Sequence, residues 1–377
     1  MKTTIEFNRP FFTGRETEYI QEAVQAHKIS GDGIFTKKCH RFFQERYHFP
    51  RVFLTTSCTD ALEMCALLLD IKPDDEIIIP SFTFSSTANA FVLRGARIIF
   101  ADSESTRPHI DAAAMEGLIS SKTKAIVVVH YAGTACEMDR IMSIAEKHQL
   151  MVIEDAAQAI DSYYKNIPLG SFGKLAAFSF HESKNVISGE GGMLVVNDDR
   201  LVSRSEILWE KGTNRAALFR GEVDKYSWLD VGSSFLPSDV IAAILYAQLE
   251  CLDLIQKQRK FIWNTYSQGL QPLQERGFLE VPVIPDYASN NAHMFYVLCS
   301  DLQTRIKLSE HLKKQNIHAL FHYLPLHLSP FYRDRYKGME LPNCQRYSDC
   351  LLRLPLYYEL TEVQTRRVVD VIKSFYL

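Results

Sequence analysis

The sequence predicts an α/β fold: a mainly parallel central sheet with helices on both faces, followed by a smaller C-terminal α/β unit. Three observations predict it. Over the first two thirds of the 377 residues, short β-branched runs alternate with helical patterns. Those runs are nearly continuously apolar, as strands buried on both faces require. The length also exceeds the size at which one hydrophobic core usually stops growing, so a large domain (1–240) and a small one (241–377) are expected.

Taken in order, "RVFL" (51–54) reads as the first strand. "SCTDALEMCALLLDI" follows as a helix, with Ala61, Leu62, Cys65, Leu68 and Leu69 at helical spacing. Next come "EIIIP" (76–80), a helix near 85–95, "RIIFAD" (97–102), a helix near 111–121 and "AIVVVH" (125–130). The helical "CEMDRIMSIAEKHQL" leads to the strand "MVIED" (151–155), and "AAFSF" and "GMLVV" complete the set. Beyond residue 240 the texture changes. One long helical pattern, "SDVIAAILYAQLECLDLIQKQRKFIWNTYSQGL", precedes a proline-spaced stretch and mixed α and β segments. There is no internal repeat or low-complexity tract.

Composition narrows the function. A formal charge of -3 gives no general attraction to nucleic acid or to an anionic membrane, so any anion site must be local. Eight cysteines without a CxxC pair, behind an opening "MKTTIEFNRPFF" with no apolar leader, predict reduced, mostly buried thiols and a cytoplasmic protein. No run approaches the ~18 apolar residues of a membrane helix.

Four stretches fall where the carboxyl ends of parallel strands converge, the place where open α/β sheets bind ligands. "TTSCTDAL" (55–62) puts small hydroxyl residues before a helix, whose free N–H groups suit one phosphate; ordinary capping by Ser57 or Thr59 is the plainer reading. In "PSFTFSSTANAF" (80–91), Phe82 or Phe84 is placed to stack on a flat ring or to fill the core. "VIEDAAQAI" (152–160) carries acids at a buried strand end, where an unpaired charge is costly. Asp155 suits a pyridine nitrogen there, or a helix cap, and Gln158 lies one turn on. Last, "AAFSFHESKNVISGEGG" sets Lys184 between a buried strand and a glycine-rich loop. A lysine that attacks an aldehyde must be deprotonated, and burial lowers its pKa. A phosphate cradle, a stacking ring, a carboxylate and a strand-end lysine thus occur in the order of a pyridoxal phosphate (PLP) site of the aspartate aminotransferase fold type.

"SFHESKN" and "GEGG", preceded by "EDAAQ", "PSFTF" and "TSCTDAL", resemble the DegT/DnrJ/EryC1/StrS sugar aminotransferases over essentially the whole chain. The resemblance implies that Lys184 holds PLP, that Asp155 faces the pyridine nitrogen, Gln158 the ring hydroxyl and Phe84 the ring face. It implies a phosphate site made by Thr59, Asp60 and Ser179, the first two through backbone amides. It implies a homodimer in which a loop of the partner completes each site; here that loop reads "GSSFLPSD", with Ser234 where the family usually has Asn. Ile187 likewise replaces a commonly small hydroxyl residue. The blocks "VHYAGTACEMD", "EKGTNR", "FRGEVDKY" and "FHYLPLH" are similar to a member that aminates C4 of dTDP-4-keto-6-deoxy-D-glucose with L-glutamate, for surface polysaccharides such as O-antigen or enterobacterial common antigen.

In "EKGTNRAALFRGEVDKYSW", Arg220 and Lys225 are expected to pair with the sugar diphosphate. In "HYLPLH", His322 and His327 are expected in a pocket wall near the sugar; with no third ligand type at suitable spacing, no metal is expected. Within the family a 3-keto sugar aminotransferase stands beside the 4-keto reading, and three further readings stand beside both. A dehydratase of the same fold has histidine in place of Lys184. A nicotinamide enzyme needs a GxGxxG turn, which is absent. A non-catalytic PLP-bound regulator transfers no amine.

Overall fold

The structure, a computed structural model, describes residues 3–377. Seven strands form the main sheet: β1 (Arg51–Thr55), β2 (Glu76–Pro80), β3 (Arg97–Ala101), β4 (Thr123–Val129), β5 (Met151–Asp155) and, after a small hairpin of β6 (Tyr163–Tyr164) and β7 (Ile167–Pro168), β8 (Leu175–Ser179) and β9 (Gly192–Val196). Their order is β1-β9-β8-β5-β4-β2-β3. β9 alone runs against the others, pairing antiparallel with β1 and β8. The α/β fold class and its mainly parallel sheet are as the sequence predicts.

Alternation within each strand feeds two separate cores. Ile78 of β2 and Ile126 and Val128 of β4 face one apolar layer, whereas Ile77, Ile79, Ala125 and Val127 face the other. Helices α1 (Glu16–Gln25) and α2 (Ile34–Tyr47) cover the first face; α3 (Cys58–Leu68) and α4 (Ser85–Val92) cover the second. The helix expected near 111–121 is shorter, a single α-turn at Ala112–Met115 running into a 3-10 turn, Glu116–Leu118.

A second sheet, β10 (Leu279–Glu280), β11 (Phe295–Cys299), β12 (Leu320–Phe321) and β13 (Leu351–Leu354), has the order β10-β11-β13-β12 and is antiparallel throughout. The single long helix expected after residue 238 is two, Asp239–Glu250 and Leu252–Glu275. Cys251, at φ −102° and ψ 7°, leaves the helical region and its N–H turns back to Gln248 O at 3.0 Å, which breaks the ladder. The first helix, on which the expected boundary at 240 falls, buries Ala242, Ala243 and Leu245 in the core shared with α1 and α2. The second carries the chain from that core (Ile255) into the C-terminal one (Ile262, Tyr266, Leu270).

Candidate active site

The carboxyl ends of five of the six co-directional strands, β1, β2, β4, β5 and β8, open onto one cavity of about 670 Å³. Its lining includes Thr59, Phe84, Asp155, Gln158, Ser179, Lys184 and His322, seven of the residues singled out in the sequence.

Lys184 lies in the loop after β8. Its N–H bonds to His181 O at 2.9 Å, and Ser188 N returns to Phe180 O at 2.7 Å, so the loop doubles back and turns the side chain inward. Burial lowers the amine's pKa; Cys58 and Asp155 oppose that shift, and Arg353 adds to it. Among the described residues the amine has no ion-pair partner.

Asp155 and its neighbour Glu154 separate because successive side chains leave a strand on opposite faces. Glu154 is fully buried and saturated: Phe172 N and Gly173 N donate to Oε1 at 2.7 Å each, Gly170 N to Oε2 at 2.7 Å, and His130 Nε2–H to Oε2 at 2.9 Å. His130 Nδ1 accepts the Cys136 N–H at 3.3 Å, which fixes that tautomer. Glu154 is therefore a packing carboxylate. Asp155 instead opens into the cavity; Thr87 Oγ1 donates to its Oδ2 at 2.7 Å and Ala157 N to its Oδ1 at 3.2 Å. Burial raises its pKa, and those two donors counter the rise.

At the start of α3, Ser57 is the N-cap, accepting Asp60 N–H at 3.1 Å. The amide of Asp60, expected at a phosphate, thus bonds to the cap in this structure, and its carboxylate accepts from Thr56 Oγ1. The N–H groups of Cys58 and Thr59 have no partner among the described residues and remain as the helix's anion-binding end. Gly192 makes this approach possible. A Cβ there would sit 2.3 Å from Ser57 C and 2.4 Å from Cys58 N, so the glycine run packs against the cradle's own backbone.

Phe84, 59% exposed, stands at the cavity wall, whereas Phe82 is fully buried against Tyr131, Tyr323 and Tyr347. Gln158 accepts Ala132 N–H at 2.6 Å and donates to Tyr323 Oη at 3.3 Å. His322 stacks on Tyr323 (3.5 Å) and bonds Tyr131 Oη through Nδ1 at 3.0 Å; burial, then the Arg353 charge, hold its pKa far below the usual value.

Besides Asp60, four expected residues are not among those lining this cavity. His327 is tied by Nδ1 to Ser81 Oγ at 2.7 Å and packed against Phe100 and Tyr336, facing away from the site. Arg220 is held on the surface by Glu206 (2.7 Å) and Glu222 (2.6 Å). Lys225 and Ser234 are exposed beside it, Ser234 in a bridge to Glu210. Among the described residues no three His, Cys, Asp or Glu side chains gather as metal ligands.

Sequence reasoning missed Thr87, His293 and Arg353. Asn185 Nδ2 donates to Asn291 O and Gln256 Oε1 at 2.8 Å each, so its Oδ1 must accept from His293 Nδ1 (2.8 Å). His293 therefore turns the lone pair of Nε2 away from that network, at the cavity wall, next to the lysine loop. Arg259, donating to the carbonyls of Ala292 (3.1 Å) and His293 (2.6 Å), fixes this segment.

PLP fits these residues on chemical grounds: a buried amine with lowered pKa, a buried carboxylate aimed into the same cavity, and a helix end with free N–H groups beside the Ser57, Thr59 and Ser179 hydroxyls. Fold and site together define a PLP-dependent aminotransferase of the aspartate aminotransferase fold type. The model of the DegT/DnrJ/EryC1/StrS aminotransferase family matches residues 12–373, and the chain belongs to that family. It is 31% identical to the GDP-perosamine synthase of Escherichia coli O157:H7, over 98% of this chain and 97% of that one. It is 30% identical to the spore coat polysaccharide biosynthesis protein SpsC of Bacillus subtilis (strain 168), over 98% and 96%. The crystal structure of S. venezuelae DesV superposes with a TM-score of 0.90 at 27% identity, covering 99% of this chain and 98% of that one.

Proposed function

We propose that this chain moves the amino group of L-glutamate to the keto carbon of a nucleotide-linked sugar, with dTDP-4-keto-6-deoxy-D-glucose as acceptor and dTDP-4-amino-4,6-dideoxy-D-galactose as product. The observation that carries the reading is the presence of Lys184 and Asp155 in one cavity: an amine whose pKa burial lowers, and a carboxylate whose pKa burial raises against two donors that favour its charged form. Bound PLP supplies a reactive carbonyl and an electron sink. Lys184 would hold it and, once freed, carry the proton away from the donor Cα at Nζ. Asp155 would keep the pyridine nitrogen protonated. Gln158 would meet the ring hydroxyl, Phe84 the ring face, and Thr59 and Ser179 with the α3 N–H groups the phosphate.

The choice of C4 and of dTDP rests on "EKGTNR", "FRGEVDKY" and "FHYLPLH". The likeness to a GDP-perosamine synthase favours a second acceptor, a GDP-linked sugar. Exposed Phe219, Tyr226, Trp228 and Leu229 support a homodimer in which Arg220, Lys225 and Ser234 reach the partner's cavity. Eight free cysteines support a reducing, cytoplasmic setting.

A panel of dTDP-3-keto, dTDP-4-keto and GDP-linked keto sugars with glutamate tests the reading, the products being assigned by mass and NMR. The expected product carries one new amine at C4 of the dTDP sugar. An amine at C3, or transfer to the GDP sugar alone, replaces the acceptor; no transfer to any of them leaves the regulator reading.

A further inference from the structure

In "IQKQRKFI" of the helix Leu252–Glu275, Lys257 and Lys260 are exposed, but Arg259 lies four residues after Ile255 and three before Ile262, on the side that faces the core. It is 3% exposed. A charge taken from water without a partner is costly, so a buried arginine is normally matched by a carboxylate. Arg259 is in no ion pair among the described residues. Its Nε and Nη2 donate to the carbonyls of Ala292 (3.1 Å) and His293 (2.6 Å), and Nη1 has no acceptor among those residues. Burial lowers its pKa and no neighbouring charge offsets the shift, yet an arginine keeps its proton at neutral pH. The surroundings are cationic as well: after burial, it is the charges of Lys184, Arg259 and Arg353 that lower the pKa of His293.

Arg259 lines a second cavity, of about 10 Å³, at the lysine loop. This one shares only Asn8 and Lys184 with the larger cavity. Asn185 and Ile187, each 4% exposed, form the loop's side of it. The turn is closed by Lys184 N–H to His181 O and by Ser188 N–H to Phe180 O, and between these the N–H groups of Asn185, Val186 and Ile187 have no acceptor among the described residues. Buried backbone donors are rarely left so. Glu182, the acid in this lining, is exposed, and its charge bears on neither Arg259 nor Lys184.

We propose that this cavity binds a monatomic anion, chloride in ordinary salt, between the Arg259 guanidinium and the backbone amides of the lysine loop. Size selects the class of ligand: the space takes one particle about as large as a water, and neither a phosphate nor a carboxylate fits. Charge selects within that class. A water leaves the guanidinium uncompensated, whereas an anion meets both an unused guanidinium nitrogen and a run of backbone N–H groups of the kind that makes anion sites. The bound ion ties the loop that bears Lys184 to the helix that joins the two cores, with residues 8–11 as the third wall. The site needs neither cofactor nor sugar, so its failure leaves the transaminase reading intact.

Bromide is the probe, because it replaces chloride and scatters anomalously. Crystals of the PLP-loaded protein soaked in sodium bromide should show an anomalous peak between Arg259 Nη1 and the backbone of Asn185 and Ile187. In solution, melting is compared in chloride and in gluconate at equal ionic strength, gluconate being too large to enter. Above the dissociation constant, the melting temperature of wild type should rise by roughly 2 °C per tenfold increase in chloride, relative to gluconate. Arg259→Gln should lose both the peak and the slope; if that variant does not fold, the map and the slope of wild type decide. A bromide map without this peak overturns the proposal, as does a chloride slope that Arg259→Gln retains. A peak with no slope in wild type is an adventitious ion only and overturns it too.

Discussion

Thr87 donates its hydroxyl to Asp155 at 2.7 Å while its own oxygen lies 2.8 Å from Thr83 Oγ1, so the buried carboxylate ends a short chain of hydroxyls running back through α4. Because Thr87 uses its proton on Asp155, it must accept the proton of Thr83. The relay gives Asp155 a fixed orientation as well as a donor.

Replacing Thr87 by valine removes one of two donors to a carboxylate whose pKa burial already raises. The expected outcome is a further rise, so that the acid limb of the kcat profile moves to higher pH, with kcat at neutral pH down by about 10-fold. A pH profile superimposable on wild type would remove Thr87 from this role.

Lys184→Ala should lose turnover by about 1,000-fold or more while keeping its fold, since the amine has no structural partner among the described residues. Steady-state assays beside far-UV circular dichroism check both halves of the statement.

The lowered pKa of Lys184 also has a stability consequence in the cofactor-free protein. The unfolded chain binds this proton more readily than the folded one between the folded pKa and about 10.5, so the native state gains stability as pH rises through that window. Lys184→Met should therefore be more stable than wild type at neutral pH, with the gap closing toward pH 10. Paired urea titrations at several pH values measure it; a gap independent of pH contradicts the assignment of a buried amine.

Glu154→Gln tests the division of labour on β5. Four donors converge on that carboxylate, and an amide would turn an NH₂ group toward some of them, costing about 3 kcal/mol. The melting temperature should drop, while activity per folded molecule stays near wild type.

Gly192→Ala should displace the start of α3, because no flexible side chain is available to yield to the new methyl group. A loss of about 1–3 kcal/mol in stability and weaker PLP retention are expected, read by denaturation and by dialysis against cofactor-free buffer.

The strands and the lysine loop were legible because their signals are local. "EIIIP" and "MVIED" end at the residues read from the sequence, and Asp155 could be preferred over Glu154 from its place at the strand's carboxyl end. For Asp60 the sequence alone does not separate cap from phosphate ligand, because both have the same local pattern, and the structure shows the Ser57 bond to its amide. His327 looked equivalent to His322 in "HYLPLH", yet Ser81, just past the end of β2 and over two hundred residues earlier, claims it. Arg353 was invisible for the opposite reason: within "LLRL" it reads as the outward member of an alternating strand, and nothing nearby in the chain reveals that this face looks onto a cavity.

The two sheets contribute different parts of the cavity. Lys184, Asp155 and the cradle at α3 come from the seven-stranded layer, whereas His322, Tyr323 and Arg353 come from the four-stranded side. Changes confined to β13 and the turn after β12 can therefore reshape one wall of the cavity, under selection or in a laboratory library, while leaving Lys184, Asp155 and the start of α3 on the other wall untouched.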